Sequence, residues 1–234
     1  MTVGTALRRT GTVGTQPPVL SNRIAEYWAN DCSSVGDGNA VSTWPDRSGA
    51  GRDMGQIGAG LKPLYRATAG VNGQACIEFD QTDDTMTATI PATSQPFSFI
   101  QVCNVTQTPA NKSIAPVYAT LATGVYMATY SGASEGWSLW AGTGGNSTGV
   151  PRSTAWAFLV GFYNGTSSVL IEGATSYNKS PGTNATSTTL RLNTGGDAYG
   201  CNIAYASLVT GDVRSDANWS TFKSWVTSTY GLTT

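Results

Sequence analysis

The densest cluster of acids in this chain is one short stretch. Asp80, Asp83 and Asp84 fall within the short stretch Phe79-Asp80-Gln81-Thr82-Asp83-Asp84. Oxygen donors so close together on a loop are the kind of set that holds calcium. The same residues also suit a turn after a strand, because Asp side chains accept hydrogen bonds from backbone N–H groups a few positions on. If the strand runs through Glu78 and Asp80, alternation puts both carboxylates on one face. Such a pair can serve as nucleophile and electrostatic partner in glycoside cleavage. A second group is aromatic: Tyr126, Tyr130, Trp137 and Trp140, beside the loop Gly142-Thr143-Gly144-Gly145-Asn146. Flat rings stack on the C–H faces of pyranoses, which makes these four the candidates for a carbohydrate platform, although rings of this size more often fill cores.

Composition removes several other chemistries. There is no histidine among the 234 residues, which excludes Ser-His-Asp and Cys-His catalysis, His-ligated zinc and an imidazole pH switch. Thirteen Lys and Arg against 14 Asp and Glu leave a net charge of −1, too little positive charge for a nucleic-acid footprint. Only 12% of residues are charged, while 33 are Thr, 23 Ser and 28 Gly; the surface is expected to be neutral and coated with hydroxyls. The 40% of hydrophobic residues suffices for a real core. No run approaches the roughly 18 apolar residues of a membrane helix, and Met1 to Leu20 lacks the apolar centre of a signal peptide. The expectation is a protein made in a cytosol, without a membrane partner. Cys32, Cys76, Cys103 and Cys201 are expected as buried free thiols, although three disulfide pairings of the four are formally open.

These residues need a scaffold, and the patterning supplies one. Residues 1–20 carry Gly4, Gly11, Gly14, Pro17 and Pro18, with Arg8 and Arg9 as their only charges. Without periodicity they read as an extended arm whose two arginines bind an acidic patch on a partner. Residues 21–234 read as one domain. Ile24, Tyr27 and Trp28, after Ser21 and Asn22 as cap candidates, are at helical spacing and predict one short turn or helix. Eleven short alternating runs follow between turn residues, which describes a two-sheet sandwich. Phe97 to Val105 is apolar on both faces and is expected at the centre of a sheet. Asn164-Gly165 predicts a type I′ hairpin into Ser168–Glu172. Trp219, Phe222, Val226 and Tyr230 make one apolar stripe on a helix capped by Asp216 and ended by Gly231.

The segment Trp44-Pro45-Asp46-Arg47-Ser48-Gly49-Ala50-Gly51-Arg52-Asp53 resembles a W-x-D-x-S-G-x-G-x-D stretch of concanavalin A-like (laminin G-like) lectin and glucanase jelly rolls. Lys62-Pro63-Leu64-Tyr65, Gly70-Val71-Asn72-Gly73-Gln74, Ile77-Glu78-Phe79-Asp80 leading into Asp83-Asp84, and Ile203 to Leu208 before a helix ending in Tyr230-Gly231-Leu232 are similar to the family's later motifs, in the same order. Glu78-x-Asp80-x-x-Asp83 also resembles the Glu-x-Asp-x-x-Glu motif of glucanases of this fold, with a shorter third acid. The resemblance implies an all-β, two-sheet antiparallel jelly-roll sandwich with one C-terminal helix. For function it implies carbohydrate binding in some members, hydrolysis in a few and structural use in many. With no catalytic inventory, the expectation is a protein that is not an enzyme: a phage virion surface component, such as a capsid decoration or head/tail accessory protein. It would be held by its arm to other virion proteins or to copies of itself as a homo-oligomer. The alternatives are a carbohydrate-binding or receptor-binding lectin-like module, and a glucanase-like hydrolase. No cofactor is expected apart from the calcium that the acid cluster could hold.

Overall fold

A strand that is apolar on both faces needs cover on both sides, and Phe97–Val105 receives it. In a computed structural model, which describes residues 15–80, 82–106, 114–119, 124–130, 136–142, 146–147, 154–193 and 200–234, this strand sits inside one of two antiparallel sheets. In chain order the strands begin β1 (Arg23–Trp28), β2 (Thr43–Trp44), β3 (Met54–Gly55), β4 (Leu64–Arg66), β5 (Cys76–Phe79), β6 (Met86–Thr89), β7 (Phe97–Val105) and β8 (Ile114–Ala119). They continue as β9 (Val125–Tyr130), β10 (Gly136–Ala141), β11 (Asn146–Ser147), β12 (Ala157–Tyr163), β13 (Ser168–Glu172), β14 (Thr175–Lys179), β15 (Thr189–Leu192) and β16 (Cys201–Thr210). The first sheet runs β14-β13-β12-β7-β16-β5-β4, with β1 also on β16. The second runs β11-β10-β9-β8-β15-β6-β3-β2.

Two cores hold the layers. Between the sheets lie Tyr27, Phe79, Phe97, Phe99, Cys103 and Tyr163 of the first against Trp44, Met86, Met127, Leu139, Leu190 and Leu192 of the second. On the other side of β7, Ile100 and Val102 join Phe158, Val160 and Tyr205 beneath the single α-helix of the described residues, α1 (Trp219–Tyr230). The predicted stripe of Trp219, Phe222, Val226 and Tyr230 is buried there, and Trp225 joins it. Gly231 ends the helix with φ 69°, as its residue type permits. The N-cap position is Asn218, two residues after the expected Asp216; the Asp216 carboxylate accepts from Asn218 N (2.8 Å) and Ser21 N (2.6 Å), and its carbonyl from Trp219 N (3.0 Å).

The short turn or helix expected at Ile24–Trp28 is instead strand β1. A bulge lies between Arg23 and Ala25 in its pairing with β16, so Ile24 and Ala25 both belong to the inter-sheet core. Tyr27 also points inward, while Trp28 reaches the helix side. A bulged strand buried on two faces thus reproduces the i, i+3, i+4 pattern of a helix. The Asn164-Gly165 connection is also different from expectation. Asn164 has φ −155°, outside a type I′ turn, and Gly165–Ser167 form a short 3-10 turn. Its Ser168–Glu172 partner strand forms as expected.

Arg8 and Arg9 lie outside the described residues. The adjoining Thr15–Leu20 segment rests on α1: Trp225 Nε1 donates to Thr15 O (2.6 Å), Asn218 Nδ2 donates to Val19 O (2.8 Å), and Leu20 is buried in the helix-side core. All four cysteines are buried free thiols. Among the described residues no helix is long and apolar enough to cross a membrane.

Candidate functional site

Helix α1 covers the outer face of the first sheet, which leaves the outer face of the second as the broad face to consider. Strand alternation decides what stands on it. Val125, Met127, Trp137, Leu139 and Ala141 belong to the inter-sheet core, so Tyr126 and Trp140 point the other way. These two are register partners on β9 and β10. Their rings are parallel within 5°, with centroids 5.6 Å apart, and both are half-buried. Gly124 leaves room for the indole: a Cβ there would lie 3.3 Å from Trp140 Nε1, and its φ of 56° favours glycine. Behind the pair, Tyr163 Oη donates to Tyr126 O (2.7 Å) and ties β9 to the first sheet through the core.

The four aromatic candidates therefore divide. Trp137 is only 3% exposed and fills the core, because it is three residues from Trp140 and alternation sends it to the opposite face. Trp137 is removed from the platform. Tyr130 is opposite Gly136 in register, and its side chain lies outside the described ones. Tyr126 and Trp140 remain as an outward pair.

The register extends this pair across the sheet. Trp140 is opposite Tyr126, Tyr126 opposite Tyr118, Tyr118 opposite Arg191, Arg191 opposite Thr87, and Thr87 opposite Gly55. Five strand intervals at roughly 4.8 Å give a row of about 24 Å. Its far end opens into a depression of about 520 Å³ lined by Asp53, Gly55, Gln56, Ile57, Thr87, Ala88, Thr89 and Thr189. Thr87 and Thr89 alternate with the core residues Met86 and Ala88, and Thr189 and Arg191 with Leu190 and Leu192. Ile57 at this rim is 99% exposed. None of these depression residues except Asp53 belongs to a motif of the sequence. Their signal was present as Thr-x-Thr and Thr-x-Arg alternation, but nothing in the chain announced that β6 and β15 are neighbours.

The acid cluster is built differently. Each of Asp80, Asp83 and Asp84 brings one carboxylate oxygen within 4.8 Å of the others. Asp80 Oδ1 accepts from the N–H groups of Thr82 (2.9 Å), Asp83 (3.1 Å) and Asp84 (3.2 Å), while Asp84 Oδ2 accepts from Asp80 N (2.7 Å). Burial works upward on the Asp80 carboxyl, but those N–H groups outweigh it and hold it below its ordinary value. Burial, then the charges of Asp80, Asp83 and Glu78, pushes Asp84 up to about 6 against the Asp80 N–H bond. The cluster thus closes its own turn, and Asp80 Oδ1 reaches a cation only in competition with three N–H groups. Glu78 is engaged elsewhere, in an ion pair with Arg66 on the adjacent strand.

The Trp44–Asp53 loop is held by its own residues. Asp46 accepts from Glu26 N (3.0 Å), Ser48 N (2.9 Å), Ser48 Oγ (2.7 Å) and Arg52 N (3.0 Å), and Asp53 accepts from Asp46 N (2.8 Å). Arg47 grips both oxygens of Asp31 and lies over the Trp28 ring. The motif is structural, with Asp53 at its end on the rim of the depression.

No family model matches the chain, and no curated protein matches it either. Among solved structures it is similar to domain 4 of a GH43 extracellular arabinanase from Geobacillus stearothermophilus, solved with arabinotriose. That match has 12% identity and a TM-score of 0.53, and covers 90% of this chain and 99% of that one. It is also similar to Trypanosoma rangeli sialidase, at 9% identity with a TM-score of 0.57 over 92% of this chain. This chain spans about a third of the sialidase, 34%. At these identities the likeness is one of fold: a β-sandwich that occurs within glycan-cleaving enzymes. The expectation that the chain is not an enzyme is corrected on that finding. Missing histidine excludes nucleophilic triads but not carboxylate chemistry, and the fold has enzymes among its holders. The virion and capsid expectation gains no support from these structures.

Proposed function

We propose that the chain is a carbohydrate-binding β-sandwich of the concanavalin A-like kind, with its ligand lying across the outer face of the second sheet. The observation that carries this reading is the parallel Tyr126–Trp140 pair, which stands outside the core and begins a register row ending in a hydroxyl-lined depression. Rings supply apolar faces for sugar C–H groups, and Thr87, Thr89, Thr189 and Asp53 supply donors and acceptors for sugar hydroxyls. A row of about 24 Å suits an oligosaccharide better than a single sugar. The similar arabinanase domain was solved with arabinotriose, which supports the class of ligand. Location on a virion, an acidic partner for Arg8 and Arg9, and a homo-oligomer built through residues 1–20 are separate proposals that rest on the sequence alone.

The test is a glycan array probed with the wild-type protein and Trp140→Ala. Saturable binding to at least one oligosaccharide class, weakened tenfold or more by the substitution, is expected. No binding to any class, or binding indifferent to Trp140, would overturn the reading. Because the fold occurs in enzymes, the incubated glycans should also be weighed by mass spectrometry. Shorter products would make this face an active site.

A further inference from the structure

The row on the second sheet has one cation at its middle. Arg191 lies between the register positions of Tyr118 and Thr87, three strands from Trp140 and two from Gly55. Alternation with the core residues Leu190 and Leu192 places its side chain on the outer face, where it is half-buried. Four arginine–carboxylate pairs occur among the described residues, using Arg23, Arg47, Arg66 and Arg214. Arg191 is in none of them. A guanidinium presents a planar fork of N–H donors that matches a carboxylate with two parallel hydrogen bonds. Among the described side chains, Thr87 across the ladder and Thr189 two positions before Arg191 stand on the same face and offer hydroxyls. Asp53 lines the depression together with Gly55 and Thr87 and accepts from Asp46 N.

We infer that the glycan taken by this face is acidic, with a sugar carboxylate seated on Arg191 between the aromatic pair and the threonine-lined depression. The inference deepens the carbohydrate-binding reading and rests on it. The arrangement fixes the ligand's polarity. The carboxylate-bearing unit sits over β15, an apolar sugar face lies toward Tyr126 and Trp140, and neutral hydroxyls lie toward Asp53, which would repel a second carboxylate. Uronic-acid and sialic-acid oligosaccharides both carry the required group, and the assay separates them.

The experiment is calorimetric titration of oligouronides and sialylated oligosaccharides, each alongside its carboxyl-reduced neutral counterpart. It uses the wild-type chain, Arg191→Gln, Arg191→Lys and Trp140→Ala. An acidic ligand binding at least tenfold more tightly than its reduced form is expected. Arg191→Gln should abolish that preference, Arg191→Lys should retain part of it, and Trp140→Ala should weaken both forms. The acidic preference should also shrink as salt is raised. Equal affinity for acidic and reduced forms, with loss in Trp140→Ala, would overturn the inference and leave carbohydrate binding standing. An acidic preference unchanged in Arg191→Gln would place the carboxylate elsewhere and also overturn it. Absence of binding to every form, acidic or neutral, would take both readings down. Circular dichroism of each variant confirms that a loss is not unfolding.

Discussion

Asp84 should contribute stability in mild acid that is lost at neutral pH, and Asp84→Asn should remove that contribution. The side chain is 5% exposed and its carboxyl is pushed up to about 6, against about 3.9 in an unfolded chain. A folded value above the unfolded one means that the native state holds the proton more tightly. The contribution of Asp84 is therefore greatest below about pH 4 and is lost as pH rises through about 6. Two pH units of difference correspond to at most about 3 kcal/mol. Asparagine keeps an acceptor for Asp80 N–H and directs its amide toward a cluster whose other members are carboxylates. Urea denaturation at pH 7.5 should find the variant more stable by about 1 to 3 kcal/mol, falling to no difference near pH 4. Asp80, whose carboxyl is held low, contributes with the opposite sign in both proteins. A variant that is less stable at pH 7.5, or a gap that does not close in acid, would refute the reasoning. Millimolar calcium decides the sequence expectation for this cluster. A rise in Tm of the wild type alone would show that a cation offsets the charge of Asp84.

Three further outcomes follow from packing and hydrogen bonding. Gly161→Val would place a Cβ 2.7 Å from Leu139 Cδ2 and 3.1 Å from the Tyr163 ring; overpacking should cost about 1 to 3 kcal/mol, measured by calorimetry, and an unchanged Tm would contradict the layer spacing. Asp46→Ala strands the N–H groups of Glu26, Ser48 and Arg52 and should cost about 3 kcal/mol; a loss below about 1 kcal/mol in urea denaturation would refute the motif's structural role. The thiols should ignore Ellman's reagent until the protein unfolds, because burial pushes Cys32 and Cys76 up to about 12 and raises Cys103 and Cys201 as well. A thiol that reacts promptly in native buffer would contradict the burial of all four.

Much of this fold was legible where one physical cause acts alone. The double-faced strand at Phe97–Val105 and the apolar stripe of α1 report burial directly. The Asp-Ser-Gly-Gly loop reports a turn whose hydrogen bonds are local, and Asp46 makes them as its residue type implies. Reading failed where two causes combine. In β1, burial on both faces and a bulge together produced a helical spacing. At Asn164, the strand-to-strand path was set by Gln95 Oε1 accepting from Gly165 N (2.6 Å), a contact 70 residues away. The candidate site shows the same limit. Local sequence singled out Trp140 and Tyr126 but could not separate them from Trp137, because only strand phase does that. It overlooked Arg191 and Thr87 because their adjacency belongs to the order of strands in the sheet, not to the spacing of residues along the chain.

Amide hydrogen exchange of the protein, free and saturated with the tightest oligosaccharide from the array, tests the central claim most directly. Slowed exchange in β9, β10, β15 and β6, with α1 and β12 to β14 unchanged, is the result this account predicts. Protection confined to α1 or to the first sheet would contradict it.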